Sequence, residues 1–181
     1  MKITELIDRL AAKLPKNLHG ALMSHVKVLR ELIEGELEAA RKSPDKVAKL
    51  AVTKKIVTTC AAVCTTVGVE PIPLADFPIL TSLQISMVAA IIHISGRELG
   101  RKMAVEFIAA LGANIGAGLA LREGARALLK LFPGWGNAIS GAIAGAGTYA
   151  IGKAAKLYFI DGGSLNEARQ LVRRAKEELP L

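Results

Sequence analysis

Gly141-Ala142-Ile143-Ala144-Gly145-Ala146-Gly147-Thr148-Tyr149-Ala150-Ile151-Gly152 carries four glycines and no charge, and it lies within the helical pattern Asn137–Phe159. Gly141, Gly145, Thr148 and Gly152 are spaced by four, three and four, which superimposes them on one helix face. Glycine inside a helix costs about 1 kcal/mol relative to alanine. A face that accumulates it therefore implies a second backbone at very close range. The expected mate is the face of Ala109, Gly112 and Gly116 on the preceding apolar helix, Met103 to Leu121. In lipid this is a small-xxx-small association surface, and in water it also makes a tight helix pair. The pattern fixes packing better than solvent.

The rest of the 181 residues is sorted by charge. The chain is 51% hydrophobic but only 4% aromatic, with 22% charged residues and a net charge of +8. Its mean hydropathy of +0.37 is high for a domain with that many charges. Both hold because the charges are segregated: Ile56 to Ser95 contains only Glu70 and Asp76, and Leu131 to Gly152 contains none. With few aromatics, no ribonucleoprotein signature and no zinc-finger spacing, the positive balance does not read as nucleic-acid binding. Anionic lipid headgroups are the expected counter-charge.

In chain order, Ile3, Leu6, Ile7, Leu10 and Leu14 predict an amphipathic helix that Pro15 ends. A second runs from Leu18 to Arg41, with its outer face alternating in sign through Lys27, Arg30, Glu31, Glu34 and Glu38. His19 and His25 point to different sides of it. Ser43-Pro44 reads as a cap and first helical residue for a helix that turns apolar after Lys55 and ends near Gly68. Cys60 and Cys64, one turn apart, read as buried reduced thiols. The Pro-rich stretch Pro71 to Pro78 then breaks the chain, and Asp76 is placed to cap a helix running to about Ser95. On that helix Ser82, Ser86, His93 and Arg97 share a face. This suits either a core helix with bonded hydroxyls or a membrane helix packed on neighbours. Pro133-Gly134-Trp135-Gly136 is a turn. Ser164 to Glu167 fits a capping box for a last helix with Arg169, Arg173, Arg174 and Lys176 outside. The expected class is an all-α bundle of apolar Gly/Ala-rich helices, residues 43–181, behind a charged helical arm, residues 1–42.

No apolar segment is a decisive membrane span of ~20 residues. Leu131–Gly152 holds Pro133 and several glycines, Ile79–Ile94 is short, and Met103–Leu121 carries Glu106. The sequence has no P-loop, no G-x-S-x-G, no H-E-x-x-H and no paired carboxylates. Asp76, His93, Glu98 and Glu106 are too scattered to predict catalysis, and neither cofactor nor metal ligand set is expected.

The segment Pro71-Ile72-Pro73-Leu74-Ala75-Asp76-Phe77-Pro78 with Gln84, Pro133-Gly134, and Thr148-Tyr149-Ala150-Ile151-Gly152 resembles the family called domain of unknown function 697, over roughly residues 56–161. That resemblance implies a bacterial, helical, often membrane-associated domain without enzymatic activity, commonly found behind a GTPase domain. No GTPase domain stands in these residues, so it implies a GTPase partner in trans or an independent role. The reading is then a non-enzymatic domain at the cytoplasmic face of the bacterial inner membrane, or cytoplasmic, that self-associates or docks a partner through its glycine face. The alternatives are a soluble helical interaction module and a membrane-perturbing protein.

Overall fold

The computed structural model describes residues 35–69, 76–98, 100–112 and 136–178. After a helical segment at 35–42 come five helices: α1 (Lys46–Val69), α2 (Asp76–Ile94), α3 (Arg101–Gly112), α4 (Gly136–Phe159) and α5 (Leu165–Glu177). All regular structure among the described residues is helical, as expected. The expected helix at Ile3–Leu14, most of the one at Leu18–Arg41 with His19 and His25, the stretch 70–75, and Gly116, Pro133, Gly134 and Trp135 lie outside them.

The frame is the antiparallel pair α1 and α4, which share the most extensive interface. Gly68 of α1 meets Gly141 and Ala144 at one end, and Val57 meets Gly152 toward the other. Lys46 at the start of α1 lies 3.7 Å from Asp161, just past the end of α4. The helix starts later than Ser43-Pro44 predicts. Asp45 is the cap, its Oδ1 accepting from the Val47 N–H at 2.8 Å, while Ser43 Oγ accepts from Asp45 N. A carboxylate suits the positive N-terminal end of a helix better than a hydroxyl does.

Helix α2 lies against both. Every residue from Ile85 to Ile94 is buried, so this stretch is covered on all sides, as a helix apolar around its whole circumference must be. Gly96, at φ +91°, ends it in the left-handed conformation that glycine tolerates, its N–H bonding back to the His93 carbonyl. α3 starts two residues before the expected Met103, with the Gly100 carbonyl accepting from Ala104 N. It buries Ala104, Phe107, Ile108 and Leu111. Phe107 stacks with Tyr158 and packs at a tilt against Phe159 at the far end of α4, and the Arg97 guanidinium lies 5.3 Å over the Phe159 ring.

The capping box of α5 forms as expected: Ser164 Oγ accepts from Glu167 N, and the Glu167 carboxylate accepts from Ser164 N at 2.7 Å. Ala168 and Val172 bury one side of this helix. Arg169 reaches across to the Ala110 carbonyl, bonding α5 to α3 at 2.9 Å. The segment 35–42 also joins the core, through Leu37 and Ala40, and Lys55 of α1 pairs with Glu36 at 2.7 Å.

Candidate functional site

The glycine face of α4 forms a seam with α1. A Cβ at Gly141 would fall on the Val69 side chain and 2.7 Å from the Thr65 carbonyl oxygen. One at Gly145 would overlap Thr65 Oγ1 and sit 3.1 Å from the Ala61 carbonyl oxygen, and one at Gly152 would be 2.6 Å from both Val57 methyls. Gly68 completes the contact from the other side, a Cβ there lying 2.9 Å from Ala144 Cβ and Gly141 Cα. Backbone meets backbone along most of the seam.

The mate differs from the expected one. Ala109 is exposed and Gly112, the last residue of α3, is partly exposed. α3 turns its bulkier side inward because Phe107, Ile108 and Leu111 bury more apolar area than an Ala/Gly face can. The small residues of α1 (Ala61, Thr65 and Gly68) take the place assigned to Ala109, Gly112 and Gly116. Gly116 lies outside the described residues. A second correction follows: the seam is filled from within the chain, so the face of Gly141, Gly145 and Gly152 is not open to a second copy.

Thr148, wholly buried on that face, is the polar point of the core. Its hydroxyl oxygen accepts from Gln84 Nε2 of α2 at 3.0 Å. This bond ties α2 to α4 beside the α1 seam. Gln84 was singled out from the sequence only as part of a motif; its partner is 64 positions away, which no local pattern reveals. Cys60 and Cys64 are both free and buried.

Elsewhere in α1 the hydroxyls bond within the helix. Thr53, Thr58, Thr59, Thr65 and Thr66 donate to carbonyls one turn earlier, at 2.8 to 3.2 Å. Ser86 of α2 does the same toward Ser82 at 2.8 Å. Each satisfies its donor without water or a partner.

His93, buried near the end of α2, has its Nε2 2.7 Å from Glu38 Oε1 of the 35–42 segment. An ionised carboxylate only accepts, so Nε2 carries the proton in this bond. Nδ1 is buried without a partner among the described residues. The bond to His93 is the main reason that the Glu38 carboxyl lies below its ordinary range. The alternating outer face that includes Glu38 gives no sign of this bond, because nothing in the spacing links it to a histidine so far along the chain. Glu98 and Glu106 are exposed, Glu106 facing Lys102 at 3.9 Å, so neither gathers at His93. Among the described residues no three His, Cys, Asp or Glu side chains group as a metal site. Asp76 opens α2 and Pro78 lies in its first turn. Their side chains, like Pro71, Pro73, Pro133 and Gly134, are outside what is described.

The chain matches, over residues 34–179, the family described as Domain of unknown function (DUF697). It belongs to that family. The DUF697 match takes in the 35–42 segment and α5, at both ends beyond the motifs that carry the resemblance. Among curated proteins, the chain is similar to "Magnetosome membrane protein 22" of Magnetospirillum gryphiswaldense, 27% identical over 130 residues, or 68% of this chain and 65% of that relative. The alignment thus spans somewhat under two thirds of the relative's length. No solved structure matches this DUF697 chain significantly.

Proposed function

We propose that this domain is a non-enzymatic, membrane-associated helical module that docks a protein partner, either a second copy or a GTPase in trans. The observation that carries the membrane reading is the outward face of α1. This helix is long and apolar enough to cross a bilayer, yet only 39% of its most apolar stretch is buried in the fold. Its exposed and half-exposed hydroxyls already donate to the helix's own carbonyls, so lipid contact would leave no donor unmatched. The name of the relative, a membrane protein, agrees with this reading. A partner would meet the outer faces and the N-terminal arm, because the glycine seam is filled.

Fractionation tests the reading. Expressed protein should sediment with membranes and resist both high salt and carbonate. Release by salt alone would mean peripheral attachment. Recovery in the soluble fraction would favour the other reading, a soluble interaction module, which the completely covered stretch Ile85–Ile94 of α2 also suits. For the partner, cross-linking in intact cells should trap a dimer or a GTPase-containing complex; a monomer with no adduct would reject docking.

A further inference from the structure

The helical segment 35–42 is held on both flanks. Glu36 reaches Lys55 of α1 at 2.7 Å, and Glu38 reaches His93 of α2 at 2.7 Å. Leu37 lies between those two on the helix surface, and with Ala40, one turn on, it is buried in the core. The segment therefore follows the groove between α1 and α2. It runs antiparallel to α1, from which the short turn at 43–45 separates it.

The ion pair of Glu36 with Lys55 fixes a register that repeats by heptads in both directions. Seven residues back from Glu36 stands Leu29, and seven on from Lys55 stands Ala62; a second step pairs Leu22 with Val69. Ala62 is exposed and Val69 is 41% exposed, so the flank of α1 is open past Glu36. Thr59 and Thr66 on the same flank are half-exposed. The amino acids upstream suit this surface. Leu22, Val26, Leu29 and Ile33 continue the stripe of Leu37 and Ala40 at spacings of three and four, while Lys27, Glu31 and Glu34 fall away from it. Arg30 borders the stripe, and its long stem lets the charge reach water. An uncharged stripe thus stands opposite the uncharged stretch Ile56–Val69 of α1. The lengths match as well: the helix that the sequence predicts over Leu18–Arg41 is as long as α1, which has 24 residues.

We infer that residues 18–34, outside the described residues, continue the line of 35–42 and cover this flank of α1, setting Leu29 against Ala62 and Leu22 against Val69. The chain's own arm then occupies part of the face on which the membrane reading rests. Arm and bilayer exclude one another there, because Lys27, Arg30, Glu31 and Glu34 are costly in hydrocarbon.

Paired cysteines in the full chain test this. Leu29→Cys with Ala62→Cys, and Leu22→Cys with Val69→Cys, are treated with a short bismaleimide that spans the interaxial distance of about 8–10 Å. Leu29→Cys with Val47→Cys is the control, since Val47, exposed at the start of α1, lies about 22 Å along the helix from position 62. Native Cys60 and Cys64 are buried, and single-cysteine variants account for them. Both in-register pairs should link within one chain roughly tenfold faster than the control, through the raised effective concentration of docked partners. Equal rates for all three pairs would overturn the inference. Links between two chains would give the face to a second copy and overturn it too. The membrane reading fails separately: with phosphatidylcholine–phosphatidylglycerol vesicles, protein that stays out of the pellet while both links form rejects that reading and leaves the cover standing. Where protein does pellet, the links should be largely lost. Pelleting with both links undiminished would place lipid on another face and overturn the exclusion of arm and bilayer.

Discussion

Replacing single glycines of α4 by alanine turns the seam into a measurable prediction with opposite signs. Gly147 points away from the seam, and a Cβ there meets nothing within 4 Å. Gly147→Ala should therefore gain only the helix propensity of alanine, about 0.5–1 kcal/mol of stability. At Gly141 the same methyl falls 2.7 Å from the Thr65 carbonyl oxygen, a backbone atom that cannot rotate away, as well as on the Val69 side chain. Ordinary carbon–oxygen contacts are about 3.3–3.6 Å, so α1 and α4 must separate by several tenths of an ångström. Overpacking of that kind costs about 1–3 kcal/mol. Set against the propensity gain, Gly141→Ala should destabilise by about 1–2 kcal/mol. Gly145 supplies the internal control: its nearest obstacle is the Thr65 hydroxyl, which Thr65→Ala removes, while the Thr65 carbonyl stays in place. Adding Thr65→Ala should thus rescue much of the loss in Gly145→Ala and little of the loss in Gly141→Ala. Equilibrium urea unfolding followed by helical circular dichroism, in the same detergent for all variants, reads each difference. If Gly141→Ala and Gly147→Ala prove equally stabilised, α1 and α4 do not approach as described and the seam is refuted.

The polar point at Thr148 predicts that Thr148→Val, which keeps the shape and removes the acceptor of the Gln84 amide, costs about 1–3 kcal/mol in the same assay; no change would mean that Gln84 finds another partner. Glu38 gives a pH dependence. Its folded carboxyl lies below the unfolded value of about 4.3, chiefly through the bond to His93. Its stabilisation is therefore complete above that value and is lost as pH falls through the folded one. Stability of wild type should converge on that of Glu38→Gln as pH is lowered from about 6 to about 3, and parallel curves would exclude the linkage. Ser164→Ala opens the capping box of α5 and should cost about 1 kcal/mol, visible as earlier loss of amide protection in that helix alone.

The helices and their small faces were readable because they follow from local periodicity. The 3.6-residue repeat groups Gly141, Gly145, Thr148 and Gly152 wherever the chain goes, and the Ser164–Glu167 box is complete within four residues. The partner of that face was misassigned because the sequence signal marks a close approach without naming the other backbone. Spacing favoured the glycines of the neighbouring helix, whereas α1 offers Ala61, Thr65 and Gly68 along a much longer contact. Threonine's β-branch favours extended backbone, yet in α1 its hydroxyls settle into the helix by bonding one turn back. The Glu38–His93 and Gln84–Thr148 bonds join residues more than fifty positions apart, and neither side chain carries a local sign of its partner.

The α1–α4 seam also sets an order of events during synthesis. Its two halves close loops of roughly 70–95 residues, so the small-residue face of α1 has no counterpart until α4 has been made. Until then Thr65 and Gly68 present a smooth, sticky groove on a helix that already has its neighbour α2. A nascent chain in that state is prone to pair with the α4 segment of another copy, exchanging helices between protomers rather than closing its own seam. Shelter of the α1 groove until the last third of the chain emerges would therefore favour the closed seam over the exchanged pair.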